Sequence, residues 1–217
     1  MNDSMKHQKQ VSYNHYQENY DGLSRFISYY YQIDLTTSLN VSKCLEIGIG
    51  NRTVSSALMN RGVNVTTCDF DPELKPDYVA DIRELPFENN SYELVMACQV
   101  LEHLPWSDFH KALSELKRVS GKFIIISLPY SSLYFELVIK FPFLKHIIKK
   151  PCIDFCIRIP LFFKKFKPTQ EHQWEIGWKG YSIRKIRGAL QEYFDIIDEK
   201  RPVLNPYHHF FILEKKR

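Results

Sequence analysis

The sequence predicts an α/β fold: a doubly wound, mostly parallel sheet of seven strands that ends in an antiparallel C-terminal hairpin. Three observations carry that expectation. Apolar runs of strand length alternate with helical stretches over about 90 residues, as in parallel strands joined by crossover helices. The first run ends in "GIGN", a glycine turn at a strand-to-helix junction. The last two strand-like runs are separated only by "VLNP", a connection short enough for antiparallel neighbours.

Taken in order, "VSKCLEIGIG" reads as a strand buried on both faces. "TVSSALMNR" is a short helix, with Gly62 placed to stop it. "VNVTTCDF" is the second strand, ending in Asp69, and after "DPELKPD" the short run "YVA" leads to Asp81. "SYELVMAC" is the fourth strand and "PWSDFHKALSELKRVS" an amphipathic helix with Pro105 at its start. "GKFIIISLP" is the fifth strand. "YSIRKIRGALQEY" is a helix, and "FDIIDEKRP" and "YHHFFILEK" complete the sheet. The whole of 1–217 is read as one domain. Two parts lie outside the sheet: a tyrosine-rich helical cover over 10–33, with a break at Gly22, and an insertion over 133–167.

A chain of 217 residues, 44% hydrophobic and 25% charged, suits one globular domain. A net charge of +4 excludes a molecule-wide polyanion binder. The five cysteines are odd in number and lack zinc-ligand spacing. No metal is expected. Three of those cysteines fall in strand-like runs, where they act as small hydrophobes and favour a reducing compartment. The polar start "MNDSMKHQKQ" has no signal-peptide core, and no apolar run reaches the roughly 18 residues of a membrane span. A cytoplasmic protein is expected.

The glycine turn raises the functional question. Gly48 and Gly50 let the chain turn sharply and let a ligand approach backbone. The amides of the following helix point to the same place. Glu46 is an acceptor just before the turn. Asp69, about twenty residues on, ends the next strand, where a carboxylate can take both ribose hydroxyls.

"LEIGIGN", "CDFDP", "ADIRELPF" and "VLEHLP" resemble, in order and spacing, the class I S-adenosylmethionine-dependent methyltransferases, in the subgroup that mostly methylates small molecules. The resemblance covers residues 43 to about 130, and it implies the Rossmann-like methyltransferase fold with S-adenosyl-L-methionine as cofactor. By position it places Glu46, Gly48 and Gly50 around the methionine part of the cofactor. Asp69 would hold the ribose and Phe70 would pack on the adenine. Asp81 and the Ile82 amide would meet the adenine edge, and Gln99 the sulfonium end. A further glycine is usual two positions after Gly50, but here Arg52 stands there. Its side chain either points to solvent or reaches the methionyl carboxylate. A dinucleotide reading fits the missing glycine no better and leaves "ADIRELPF" and "VLEHLP" unexplained.

Methyl transfer from a sulfonium needs alignment, and a base only where the nucleophile carries a proton. His103 is one candidate base, though it and Glu102 can equally be structural. His172 is another, in "EHQWEIGWKGYS", where Glu171, Trp174 and Glu175 would line an acceptor pocket or merely pack the loop. His208 and His209 are read as ordinary histidines. The tyrosines at 13, 16, 20, 29, 30 and 31 either pack helices or form a lid, with Tyr16 or Tyr20 touching the ligand.

The insertion 133–167 holds eight Lys or Arg against two acids, interleaved with Phe, Leu and Ile. A helix with one apolar and one basic side would cap the site or lie in a membrane interface. Prolines and bulky aliphatics argue against nucleic acid. The expected acceptor is an O, N or C atom of a small molecule, hydrophobic or lipid-like, with peripheral membrane contact through 133–167. The competing reading is a non-catalytic cofactor-binding or membrane-docking module that keeps the fold.

Overall fold

Helix α1 (Leu23–Ser38) begins directly after Gly22, the expected break, and runs past the end expected for the helical cover. In the computed structural model, which describes residues 21–143, 152–169 and 171–216, α1 buries Ser28, Tyr29, Gln32, Leu35 and Thr36 along one stripe. Tyr13, Tyr16 and Tyr20 lie outside the described residues, as does the rest of the cover over 10–20.

Strand β1 (Lys43–Ile47) is followed by α2 (Thr53–Met59), β2 (Asn64–Asp69) and β3 (Tyr78–Val79). Then come β4 (Tyr92–Cys98), α3 (Trp106–Val119) and β5 (Ser120–Pro129). After two further strands, β6 (Ser132–Ile139) and β7 (Ile153–Pro160), the chain forms α4 (Ile183–Gln191), β8 (Phe194–Lys200) and β9 (His208–Lys215). The main sheet has seven strands in the order β3-β2-β1-β4-β5-β9-β8. The first five are parallel, and β9 runs antiparallel to both β5 and β8. This is the architecture expected from the sequence.

The strands are apolar on both faces because both faces are covered. In β4, Leu94 and Met96 join the core under α1 and α2, while Val95 and Ala97 join the core under α3 and α4. In β5, Ile125 faces the first layer, and Ile124 and Ile126 face the second. Helix α3 supplies Phe109, Ala112, Leu113, Leu116 and Val119 to that second core, at helical spacing.

The insertion corrects one expectation. Its described part is not a helix but an antiparallel pair, β6 with β7. "LYFELVI" and "IDFCIRI" alternate with a period of two, and β-branched and aromatic residues favour a pleated strand. Leu133, Phe135, Leu137 and Ile139 stand opposite Ile159, Ile157, Phe155 and Ile153. All eight are exposed on one face. The other face carries Glu136 and Asp154, both ion-paired to Arg201 before β9. Residues 144–151, with Lys149 and Lys150, lie outside the described residues. No helix among the described residues is long and apolar enough to cross a membrane.

Candidate functional site

The winding of the sheet reverses between β1 and β4, and ligands of open α/β sheets bind beyond the strand ends at such a point. There the turn after β1 meets the turn after β4. Gly48 has φ of +80°, and a Cβ on it would lie 2.3 Å from Cγ2 of Val100. Only glycine lets the two turns approach so closely.

Gly50 and Arg52 are also left-handed, with φ of 50° and 65°. That backbone explains why a glycine would suit position 52. The arginine side chain does not simply point into solvent. It is half-buried and its Nη2 donates to Thr67 Oγ1 on β2, 3.3 Å away. Thr67 also meets Asp77, whose carboxylate accepts from its hydroxyl at 2.7 Å and its amide at 2.8 Å. Asn51 ties the turn to α1: Nδ2 donates to Asp21 at 2.8 Å, and Oδ1 accepts from the Tyr29 hydroxyl at 3.3 Å and the Thr53 amide at 3.2 Å. Sequence reasoning passed over this bracing role, although an Asn just before a helix is a signal for it.

Glu46 is 4% exposed, and its Oε2 has no hydrogen-bond partner among the described residues. Burial pushes its carboxyl up to about 8, against a hydrogen bond from Ser55 and the Arg52 charge. Asp69, at the end of β2, accepts from the Ile49 amide through Oδ2 and from the Asp71 amide through Oδ1, each at 2.9 Å. Burial raises its pKa despite these amides. The carboxylate is thus aimed by backbone.

Phe70 is 45% exposed beside Asp69, and Ile82 is buried. Asp81 is engaged by Arg83, whose amide donates to Oδ1 and whose Nη2 donates to Oδ2, both at 2.8 Å. Gln99 leaves β4 with φ of 57°. Its amide donates to the Ser127 carbonyl at 2.9 Å and its Nε2 to the Ser127 hydroxyl at 3.2 Å.

The two candidate bases are brought together. The segment after β7 folds back on the 3-10 turn Leu101–His103, where the Gln173 amide donates to the Glu102 carbonyl at 2.8 Å. Trp174, fully buried, donates from Nε1 to the Leu104 carbonyl at 3.1 Å. The His103 and His172 rings are then 5.1 Å apart. His103 Nδ1 lies 2.6 Å from the Glu171 carbonyl, and His172 Nδ1 lies 2.7 Å from Glu175 Oε1. Burial works to lower the His172 pKa, but the bond to Glu175 and the charges of Glu102 and Glu175 raise it overall.

Glu175 also accepts from the Tyr207 hydroxyl at 2.9 Å and from Ser131. Sequence reasoning missed Tyr207 and Ser131 because only the fold brings them to this loop. His208 bonds Ser28 and is pushed down to about 3 by burial, and His209 pairs with Glu199. Both are core histidines.

Residues 45–126 match the family model described as a methyltransferase domain. No curated protein matches the sequence. A solved protein from Pyrococcus horikoshii OT3 is similar at 14% identity and a TM-score of 0.61, over 93% of this chain and 95% of that one. Magnesium protoporphyrin IX methyltransferase from Synechocystis, with bound S-adenosylhomocysteine, is 16% identical with a TM-score of 0.57, over 89% and 83%. A Burkholderia thailandensis 1,6-didemethyltoxoflavin-N1-methyltransferase is 10% identical with a TM-score of 0.61, over 94% and 85%. Identities this low speak for the fold. With the matched segment 45–126 they support an enzyme that uses S-adenosylmethionine as methyl donor. The non-catalytic reading gives way to that match.

Proposed function

We propose that the protein transfers the methyl group of S-adenosylmethionine to an O, N or C atom of a small, hydrophobic or lipid-like molecule. The observation that carries the reading is Glu46: a buried carboxyl with one oxygen unpartnered among the described residues, at the mouth of a turn that needs glycine. A buried polar atom without a partner is costly, so a ligand donor is its natural complement. The ammonium of the cofactor's methionyl part supplies one. Asp69 is aimed for the ribose hydroxyls, with Phe70 and Ile82 beside the adenine. Asp81 would take the adenine amino group by giving up part of its contact with Arg83. Gln99, pinned to Ser127, faces the sulfonium end.

The cofactor supplies a methyl already activated on sulfur. The chain's own contribution is to bind, align and exclude water. Where the acceptor carries a proton, its removal falls to the cluster of His103 and His172. Calorimetric titration with S-adenosylmethionine and S-adenosylhomocysteine, with NAD as control, tests the donor. Micromolar binding of the first two alone is expected, and absence of both sinks the reading.

The acceptor class rests on the β6–β7 hairpin, which rises from the C-terminal end of β5, the same end as the glycine turn. Monomers rarely expose apolar patches beyond a few hundred Å². Here eight cross-strand apolar side chains face out, both acids are on the opposite face, and Lys140, Lys164, Lys165 and Lys167 flank the pair. A lipid surface with anionic headgroups fits that pattern, and the hairpin serves as the cover through which an amphiphile enters. The protein should sediment with anionic vesicles more than with zwitterionic ones, and a Phe135→Ser, Ile157→Ser double variant should stay in solution. Indifference to vesicles, or self-association through this face, would remove the lipid part and leave methyl transfer standing.

A further inference from the structure

Glu102 is fully buried in the middle of the 3-10 turn that follows β4, and neither of its carboxylate oxygens has a hydrogen-bond partner among the described residues. A bare buried carboxylate costs several kcal/mol, so it is either protonated or matched by a cation. One of its oxygens and one ring nitrogen each of His103 and His172 lie within 4.8 Å of one another. We propose that Glu102, His103 and His172 form a binding site for a divalent transition metal of the zinc or iron(II) type.

The surroundings of the two rings suit ligation. Each Nδ1 faces an oxygen, the Glu171 carbonyl for His103 and the Glu175 carboxylate for His172. An imidazole that gives its Nδ1–H to an oxygen presents Nε2 as the base, the tautomer and orientation that metal-bound histidines use. Glu175 is in turn fixed by Tyr207 and Ser131, which gives the His172 side a supporting shell. Both imidazoles are partly accessible, so an ion can enter, while Glu102 closes the floor. Bonds of about 2.0–2.2 Å to a tetrahedral ion put donors about 3.4 Å apart, so closure takes little more than an ångström of side-chain movement. Two imidazoles with one carboxylate select zinc-like or iron(II)-like ions over magnesium and calcium, which prefer all-oxygen sets.

The use of such an ion rests on the methyltransferase reading, although the site itself does not. Three protein ligands leave a position for an acceptor hydroxyl, whose pKa an ion lowers. With the ion bound, the two imidazoles serve as ligands and not as bases, so the hydroxyl releases its proton to solvent; an O–C bond forms as the S–C bond breaks, and the products are a methyl ether, S-adenosylhomocysteine and the proton. The acceptor class narrows accordingly to molecules with an ionisable hydroxyl.

The test uses the full chain, stripped with chelator and titrated calorimetrically with ZnCl2, then with CoCl2 to follow its visible absorption, and with MgCl2 as control. One Zn2+ per chain is expected, with the Co2+ bands of a low-coordinate nitrogen and oxygen site. Glu102→Gln and His172→Ala should each weaken binding by at least about tenfold. Far-UV circular dichroism melts show whether the variants are folded. Should either melt before the titration, Glu102→Asp, which retains a shorter carboxylate, is read for a weakened but measurable affinity. No stoichiometric uptake, or uptake unchanged by both substitutions, overturns the site. Zinc uptake without S-adenosylhomocysteine binding would instead overturn the methyl-transfer reading alone.

Discussion

The two ends of the candidate site are built on different plans. The glycine-turn end comes from short stretches next to strand ends, and backbone aims its polar groups: amides of Ile49 and Asp71 hold Asp69. The histidine end is assembled from the turn after β4, the loop after β7 and the start of β9, and side chains hold side chains through Glu175. Backbone-held groups are fixed wherever the sheet forms. Groups held by side chains can be altered singly without disturbing the sheet.

Asp69→Ala should have the largest effect on binding. It removes hydrogen bonds from a charged acceptor worth about 1.5–3 kcal/mol each. Two such bonds predict a loss of cofactor affinity of about 100-fold or more by calorimetry. Retained affinity would mean that the glycine-turn end is not the cofactor end.

Gly48→Ala attacks the same end through shape. The added methyl meets Val100 and the backbone stays at positive φ, so a loss of about 2 kcal/mol of stability is expected in urea unfolding. A variant with wild-type stability would show that the two turns are loosely apposed.

Glu46 gives the comparison a pH signature. Its folded pKa of about 8 lies above the ordinary 4.5, so its contribution to stability is fully present below about 4.5 and is lost as pH rises through about 8. Melting temperatures of the ligand-free protein should fall across that window more steeply than those of Glu46→Gln. Cofactor binding near neutral pH should also release a proton, read as a buffer-dependent enthalpy. Parallel melting curves for the two proteins would remove the assignment.

Tyr207→Phe tests the other end. It deletes one hydrogen bond to a charged acceptor, Glu175, and should cost about 1.5–3 kcal/mol of stability while leaving S-adenosylhomocysteine affinity unchanged. A coupled loss of affinity would show that the two ends are not independent. The smallest effect is expected for Arg52→Gly. Relief of left-handed strain, about 1 kcal/mol, is offset by the greater freedom of an unfolded glycine and the lost contact to Thr67. A change in unfolding free energy beyond about 1 kcal/mol would show that Arg52 holds more than Thr67.

What could be read in advance follows the same division. "KCLEIGIG", "VNVTTCD" and "YELVMAC" declare their strands because both faces are buried and the apolar run is continuous. The sequence suggests a helix for the hairpin because lysines and prolines around "LYFELVI" hide an alternation whose apolar face is exposed. Position 52 looked open to solvent because nothing local reveals that Thr67 and Asp77 lie beside it.

By itself the sequence determined the alternation of strands and helices, the glycine turn and the acids spaced from it, since these depend on neighbours a few residues apart. Only the tertiary structure decided that Glu102 would be buried without a hydrogen-bond partner among the described residues, that His172 would come to His103, and that Tyr207 and Ser131 would brace Glu175. The physical reason is separation along the chain: contacts between residues far apart exist only after the sheet has ordered its strands, and no local pattern encodes them.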